Sequence, residues 1–350
     1  MSDEVFERLA DALDRLPNGF PRTPTGLEIR ILKKIFTPEE AAWAVQLRGE
    51  MEPVDEIAAR VGVSEREAIA ALKPMAARGL IWGDAKDRKR RYRLAPFVVG
   101  IYEAQLENMD HEFAHMHEEY MAQGGAAGIM RPQPALHRVV PARGAAKTEW
   151  ILPYDDMKEL LMNAKTFRAR DCICRVQKGI LGEACDKPVL NCLSFYDIAL
   201  PETPYDLTKE QAIAVLDEAE KAALVHTVSN VAKGVHYFCN CCGCCCGILR
   251  GVNEFGIQDS VAAANYYAVV DEDACTACGI CETRCQVGAI SIPDAVSVVD
   301  RARCIGCGLC VTTCPEEAIT LHLKPESEII HPPEDFPTWE RERLRNRGLA

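Results

Sequence analysis

The residues of this chain best suited to chemistry are its 18 cysteines, all of which lie between positions 172 and 314. Six fall within eight positions of the segment FCNCCGCCCG: Cys239, Cys241, Cys242, Cys244, Cys245 and Cys246. The other twelve form three further groups: Cys172, Cys174, Cys185 and Cys192; Cys275, Cys278, Cys281 and Cys285; and Cys304, Cys307, Cys310 and Cys314. Because thiolates are soft metal ligands, this clustering predicts that the cysteines ligate metal.

The composition indicates where the protein is located and which partners it does not bind. The chain has 350 residues with 52 acidic and 40 basic side chains, a net charge of −12. This charge argues against non-specific binding of nucleic acid or anionic membranes. The N-terminal MSDEVFERLADALDRL has no apolar signal region, and no stretch approaches the ~20 apolar residues of a membrane span. We therefore expect a cytoplasmic protein without membrane insertion, in which clustered cysteines indicate metal or redox chemistry rather than disulfides.

Eight of the cysteines belong to an internal repeat. CTACGICETRCQVGAISI (275–292) and CIGCGLCVTTCPEEAITL (304–321) align at an offset of 29 residues, and both contain C-x2-C-x2-C-x3-C. Three cysteines at this spacing can hold three corners of an iron–sulfur cube, while the fourth reaches a neighbouring cube. Gly279 and Gly308 let the backbone approach inorganic sulfide, so both are candidate cofactor-binding residues. Zinc sites more often show separated C-x2-C pairs.

Residues 271–321 resemble a bacterial two-cluster ferredoxin domain, which implies two [4Fe–4S] clusters. The second repeat keeps the proline of that family after its last cysteine, Pro315, whereas the first has Gln286 there. The resemblance implies one ligand set of Cys275, Cys278, Cys281 and Cys314 and another of Cys304, Cys307, Cys310 and Cys285.

The other ten cysteines match no standard site. In an extended C-x-C the two side chains point the same way, so Cys172 and Cys174 are expected to hold one centre while the next two cysteines return from a loop. Arg175 and Lys178 add positive charge that favours thiolates. The six-cysteine segment cannot be one site, because a four-iron cube has only four terminal positions. The ten thiols suffice for two further [4Fe–4S] clusters or for one cluster of unusual nuclearity. We expect one or two additional iron–sulfur clusters shared between the two groups, with the individual ligands left open.

A second resemblance concerns the N-terminal part. The segment VDEIAARVGVSEREAIAALKPMAARGLIWGDAKDRKRRYRLAPFVVG predicts a helix near 54–60, a turn, a second helix capped by Ser64 and Glu67, a strand, and a charged hairpin. This order resembles a winged-helix domain over residues 26–98. Pro74 departs from an ideal recognition helix because it removes a backbone donor. The hairpin tip carries five cations, Lys86, Arg88, Lys89, Arg90 and Arg91, suited either to phosphate or to solvent and an acidic partner.

The predicted fold is a multidomain α+β protein, with a winged-helix-like domain, a cysteine-rich α/β middle domain and a bacterial-type two-[4Fe–4S] ferredoxin domain. Capping boxes are expected at Thr37 with Glu40 and at Thr208 with Gln211. The glycine-rich segment 124–128 predicts a flexible boundary. The expected divisions are 1–25, a helix and linker; 26–122, winged-helix-like with a following helix; 130–260, the middle domain; 266–323, the ferredoxin domain; and 324–350, a surface tail.

Histidines offer a further, weaker set of candidate ligands. His111, Glu112 and His115 match H-E-x-x-H, but the charged surroundings favour a solvated surface helix over a metalloprotease site. His226 and His236 flank the six-cysteine segment, and we interpret both as structural.

Taken together, the chain resembles bacterial cytoplasmic 4Fe–4S dicluster-domain proteins of anaerobic metabolism. The resemblance implies an electron-transfer protein or an electron-transfer subunit of an oxidoreductase complex, a carrier rather than an enzyme, with a redox protein as partner. One alternative is a redox-sensing regulator that places the winged helix on DNA, against which the net charge and Pro74 count. Another alternative is a catalytic middle domain with an open-coordinated cluster at 239–246.

Overall fold

The computed structural model describes residues 2–350, apart from the side chains of Ser2 and Lys158. The chain is a mixed helix and strand protein that divides into two compact units. The first unit comprises residues up to Pro132 together with Arg343–Ala350, and the second is Gln133–Glu342. All 18 cysteines lie in the second unit. Among the described residues, none of the helices has the length and apolarity needed to cross a bilayer.

The first unit is mainly helical and carries a small sheet. Its helices are α1 (Ser2–Asp14), α2 (Leu27–Ile35), α3 (Pro38–Ala44), α4 (Val54–Val61), α5 (Glu65–Ala77), α6 (His111–Tyr120) and α7 (Ala126–Met130). Its strands are β1 (Glu52–Pro53), β2 (Ile81–Lys86) and β3 (Lys89–Leu94), in the antiparallel order β1-β3-β2. The apolar faces of the helices form its core, which includes Phe6, Leu9, Leu13, Leu27, Leu32, Phe97 and Phe113.

Local signals explain where several helices of this unit begin. The predicted capping boxes at Thr37 and Ser64 are confirmed. Each hydroxyl accepts a hydrogen bond from the backbone amide of the third helical residue, whose carboxylate accepts one from the backbone amide of the capping residue. Gly62, at φ +80°, ends α4. Helix α5 runs through Pro74 to Ala77.

Two C-terminal features of the first unit differ from the expectations. The glycine-rich segment 124–128 contains the start of α7, and a Cβ at Gly128 would lie 2.5 Å from Pro21, so this glycine permits close packing. The tail is not simply a surface arm. Arg343 is fully buried and donates to the carbonyl oxygen of Pro17 at 2.8 Å, because a buried guanidinium needs several acceptors.

The second unit is built on a six-stranded antiparallel sheet in the order β4-β8-β9-β6-β5-β7. The strands are β4 (His137–Val139), β5 (Thr166–Asp171), β6 (Leu190–Tyr196), β7 (Asp206–Leu207), β8 (Val225–Ser229) and β9 (Tyr237–Cys241). Helices α8 (Met157–Met162), α9 (Ile173–Ile180), α10 (Lys209–Lys221) and α11 (Gly247–Asn253) accompany it. The predicted capping box of Thr208 with Gln211 opens α10, whose Leu216 packs in the core with Phe195 and Phe238 of the sheet.

The C-terminal part of this unit contains two short antiparallel pairs. Strand β10 (Tyr266–Val270) pairs with β13 (Ile319–Leu323), and β11 (Ile290–Ser291) pairs with β12 (Val298–Val299). Helix α12 (Ile280–Arg284) lies between β10 and β11 in the chain, and α13 (Phe336–Asn346) follows β13. Cysteines are part of this core, since Cys281 and Cys310 pack with Ala268, Ile290 and Ile319.

Candidate metal centres

Four cysteines of the repeat surround a single cavity at the surface of the second unit. Cys275, Cys278, Cys281 and Cys314 line it together with Ser297 and Glu316, among other residues. We call these four cysteines the outer set, because Cys278 is exposed. They are the four that the ferredoxin resemblance assigns to one cluster, and they come from both repeats.

Backbone and hydroxyl groups already face the sulfurs of the outer set. The amide of Ser297 donates to Cys275 Sγ at 3.4 Å, and Ser297 Oγ lies 3.2 Å from Cys281 Sγ. Backbone hydrogen bonds from Ser297 and Ala277 lower the pKa of Cys275. Such donors stabilise negative charge on cluster ligands, so this cavity fits an iron–sulfur cluster.

The remaining cysteines of the repeat, Cys304, Cys307, Cys310 and Cys285, form the inner set. Burial, with a smaller contribution from the nearby Cys285 and Cys304, raises the pKa of Cys307 to about 12. Burial also raises the pKa of Cys310, with the other three as its electrostatic neighbours. Cys310 is buried and the other three cysteines are half-buried, and Cys307 and Cys310 each have other thiols of the set as electrostatic neighbours. Neighbouring thiols of this kind are suited to a shared cation, so the inner set also fits a cluster.

The two predicted cofactor-binding glycines sit in different surroundings. Both have left-handed backbone, with φ +82° at Gly279 and +72° at Gly308. A Cβ at Gly279 would meet no atom within 4 Å, whereas a Cβ at Gly308 would lie 2.4 Å from that of Ala145. Gly308 is therefore required for packing as well as for its backbone conformation, which the sequence did not indicate.

Cys185, Cys242, Cys244 and Cys245 gather in the middle region, and we call them the tetrad. Their four sulfurs all lie within 4.8 Å of one another. The Cys185 sulfur lies 3.9 Å from that of Cys242 and 3.6 Å from that of Cys245, and the sulfurs of Cys244 and Cys245 are 3.7 Å apart. This donor set of four converging thiols fits a four-coordinate metal ion or a four-iron cluster.

Charge within the tetrad is strongly uneven. A hydrogen bond with Cys245 lowers the pKa of Cys242 to about 4, and the positive charge of Arg175 contributes. The same hydrogen bond raises the pKa of Cys245, while burial raises that of Cys244 to about 11. The Cys242 thiolate is therefore stabilised by neighbouring thiols. Metal binding would release the protons of those thiols, so the arrangement is suited to a metal.

The other six cysteines of the middle region form a second group, which we call the hexad. Cys174 is in hydrogen-bonding contact with Cys172 and Cys246, and Cys246 also contacts Cys241. Cys239 contacts Cys192, because β6 and β9 pair next to these residues. The six members are Cys172, Cys174, Cys192, Cys239, Cys241 and Cys246.

The expected extended C-x-C is not what the structure shows. Cys172 is the N-cap of α9, and Cys174 lies in its first turn, because the helix starts at Ile173. The two sulfurs still meet, now through the tight geometry of a helix start. Cys185 lies with the tetrad rather than with its sequence neighbours Cys172 and Cys174 in the hexad.

Arg175 is a buried cation that faces both groups of middle-region sulfurs. It is 2% exposed, its Nη2 donates to the carbonyl of Asn240 at 3.0 Å, and its side chain also interacts with Cys185. Burial opposes its charge, but the neighbouring Cys172, Cys242 and Cys241 raise its pKa overall. A buried guanidinium with sulfurs around it is suited to balance anionic metal–thiolate groups. Lys178, by contrast, pairs with Glu183 at 2.7 Å.

The histidines have structural environments. His226 is buried, with Nδ1 2.5 Å from Asn240 Oδ1 and Nε2 3.1 Å from Glu220 Oε1, so both ring nitrogens are used. His236 Nδ1 lies 3.3 Å from the carbonyl of Gly234. At the H-E-x-x-H segment, His111, Glu112 and His115 are exposed on α6, and Glu112 pairs with Lys34 at 2.5 Å. This segment is a solvated helix surface, as the sequence suggested.

Comparison with known proteins finds one family model that matches part of the chain. Residues 261–321 match the family model described as a 4Fe-4S dicluster domain, and this range contains the whole repeat. The match supports an iron–sulfur domain in the C-terminal part of the second unit. No curated protein and no solved structure matches the chain significantly.

Proposed function

We propose that this protein relays single electrons through iron–sulfur clusters, either as a free carrier or as the electron-transfer subunit of an oxidoreductase complex. The outer and inner sets would each hold one [4Fe–4S] cluster, and the tetrad would hold a third. When bound, each cluster accepts or releases one electron, while the protein supplies spacing, burial and hydrogen bonds that set its potential. The observation that carries the proposal beyond the ferredoxin domain is the convergence of the four tetrad sulfurs within 4.8 Å.

The hexad extends this proposal. Ten middle-region thiols exceed what one four-iron cube can use, and their division into four and six gives each group enough ligands for its own centre. Arg175 supports two anionic centres rather than one, because its electrostatic neighbours include Cys242 of the tetrad and Cys172 and Cys241 of the hexad. Residues 130–260 would then be the cysteine-rich middle domain.

The exposed Cys278 makes the outer set the natural point of exchange with a redox partner protein. Electron transfer needs close approach of donor and acceptor, and a cluster with an exposed ligand offers it. In the other three groups, Cys244 of the tetrad is the one exposed cysteine.

A DNA-binding role for the winged-helix-like region at 26–122 has no support. At the hairpin, Lys89 pairs with Asp55 at 2.8 Å and Arg91 pairs with Asp84 at 2.5 Å. Arg93 lies over the ring of Trp82. The two ion pairs neutralise part of the positive charge that phosphate binding would use, so we propose a structural or protein-docking role for this region.

Anaerobic reductive titration tests the proposal. The holoprotein should take up more than two electrons per chain and release them to a one-electron acceptor, with the spin-half signals of reduced [4Fe–4S] centres by electron paramagnetic resonance. Uptake limited to two electrons would contradict the middle-domain centre, and no reversible uptake would contradict electron transfer altogether. A salt-dependent shift of duplex DNA by the same preparation would favour the regulator.

A further inference from the structure

Gln286 occupies the position at which the second repeat has Pro315, and its side chain makes a contact that a proline could not. Its side-chain Oε1 accepts a hydrogen bond from the backbone amide of Gly243 at 3.0 Å. Its backbone carbonyl accepts one from Asn253 Nδ2 at 2.9 Å, and the same Nδ2 lies 3.1 Å from the carbonyl of Gly243. Gln286, Gly243 and Asn253 therefore form a closed hydrogen-bonded contact between the repeat and the six-cysteine segment.

The contact is so close that only glycine fits at position 243. A Cβ there would lie 2.0 Å from the carbonyl oxygen of Gln286 and 2.4 Å from Asn253 Nδ2. Gly243 lies between Cys242 and Cys244, two members of the tetrad. Gly243, the first of the two glycines in FCNCCGCCCG, thus lets the tetrad loop contact the repeat.

On the other side of this contact is the inner set. Gln286 directly follows Cys285, so Cys285 and Cys242 are joined by one peptide link on each side, the Gln286 side chain and the Gly243–Gln286 hydrogen bond. Arg284, on the other side of Cys285, donates to the carbonyls of Glu220 at 2.7 Å and Lys221 at 3.0 Å at the end of α10. Arg284 and Gln286, the two neighbours of Cys285, therefore both form hydrogen bonds with the middle region.

The outer set lacks such a connection. Its fourth ligand, Cys314, is followed by Pro315, which is exposed and has no side-chain oxygen to accept a hydrogen bond as Gln286 does. The residue after the fourth cysteine thus differs between the two repeats, and in the first repeat that residue is where the inner set meets the tetrad.

We propose that Gln286 is a positioning residue that joins the inner set to the tetrad, and that single electrons cross the molecule at this contact. The inference rests on the proposed clusters. In each transfer one electron leaves one site and enters the other, so the first is oxidised and the second reduced by one electron. A one-electron reductant of the protein or dithionite class, acting at the outer set, supplies the electron. The order of the sites is then outer set, inner set, tetrad.

The experiment uses the full-length holoprotein and three variants. Gln286→Leu removes the acceptor at similar volume, Gln286→Glu keeps an oxygen acceptor by replacing the amide oxygen with a carboxylate oxygen, and Pro315→Gln is the matched change in the other repeat. Iron and acid-labile sulfide are measured first. Magnetic coupling between the reduced centres and the rate of intramolecular electron redistribution after pulsed reduction are measured next.

We expect unchanged iron in all three variants. Gln286→Leu should show weaker coupling and electron redistribution several-fold slower than wild type, Gln286→Glu should be close to wild type, and Pro315→Gln should be indistinguishable from it. Wild-type coupling and rate in Gln286→Leu, or equal slowing by Pro315→Gln, would overturn the inference. A wild-type protein with only about eight iron atoms would instead overturn the proposed third cluster, because the two ferredoxin sets alone account for that number.

Discussion

The repeat and the middle region gather cysteines in opposite ways. In the repeat, three ligands of each set lie within seven residues, and only the fourth comes from the other copy. In the middle region, the tetrad joins Cys185 to cysteines 57 to 60 residues away, and the hexad depends on the pairing of β6 with β9. Local spacing is therefore enough to specify the first kind of site, whereas the second kind exists only when the sheet has formed. The two regions should respond differently to the same changes.

The largest effect should follow from removing two ligands of the tetrad. Cys242→Ser with Cys245→Ser should lose about four iron atoms, because a cube with two missing thiolates is not retained. The ferredoxin-type signals should persist, since the inner and outer sets are held by their own spacing. Elemental analysis and electron paramagnetic resonance check this.

The matched double variant is Cys241→Ser with Cys246→Ser in the hexad. It should leave the tetrad signal in place while removing a different part of the metal content. If either double variant abolished the iron of all sites together, the division into independent groups would be wrong.

A smaller effect, on the stability of the protein, should distinguish Gly279 from Gly308. Gly279→Ala should cost about 1–2 kcal/mol of stability, the usual penalty for a side chain in left-handed backbone. Gly308→Ala should cost about 1–3 kcal/mol more, because the new Cβ would lie 2.4 Å from that of Ala145. Anaerobic thermal unfolding measures the difference. Equal midpoints for the two variants would contradict the packing role assigned to Gly308.

A change in potential without a change in fold should follow from Arg175→Gln. Removing a buried positive charge beside the sulfurs disfavours the reduced, more negative state, so the potentials of the middle-region centres should fall by tens of millivolts. The potentials of the outer and inner sets should move much less. Lys178→Gln is the control, because Lys178 is also buried but pairs with Glu183. Redox titration followed by electron paramagnetic resonance measures the potential of each centre. If Lys178→Gln lowered the middle-region potentials as much as Arg175→Gln does, the role of Arg175 would be contradicted.

The smallest effect concerns the cysteine-free first unit, which provides a baseline for the comparison. Burial raises the pKa of Glu103 to about 7. Folding therefore favours the protonated carboxyl, so this contribution to stability is present below the ordinary pKa of 4.5 and is lost as the pH rises through about 7. Amide hydrogen exchange around residues 97–108 should accelerate over this range, and Glu103→Gln should remove that dependence. A variant with the same pH profile as wild type would show that another group is responsible.

The sequence predicted the local features of this molecule well. The capping boxes at Thr37, Ser64 and Thr208 depend on residues three positions apart, and all three are confirmed. The iron–sulfur domain was likewise visible in its spacing, and the match over 261–321 supports it.

The features that the sequence missed depend on distant contacts. The division of the ten middle-region cysteines follows from strand pairing and from the loop that carries Cys185. The burial of Arg343 depends on acceptors such as the Pro17 carbonyl, at the opposite end of the chain. Gln286 was visible only as a departure from the ferredoxin pattern, and its contact with Gly243 depends on a residue 43 positions away.

Iron and acid-labile sulfide per chain, measured after anaerobic purification, test the central claim that the middle region holds metal in addition to the ferredoxin sets. Three clusters predict about twelve iron atoms with matching sulfide, and a further four-iron centre at the hexad predicts about sixteen. A value of about eight would mean that the outer and inner sets account for all the iron, and would contradict the claim.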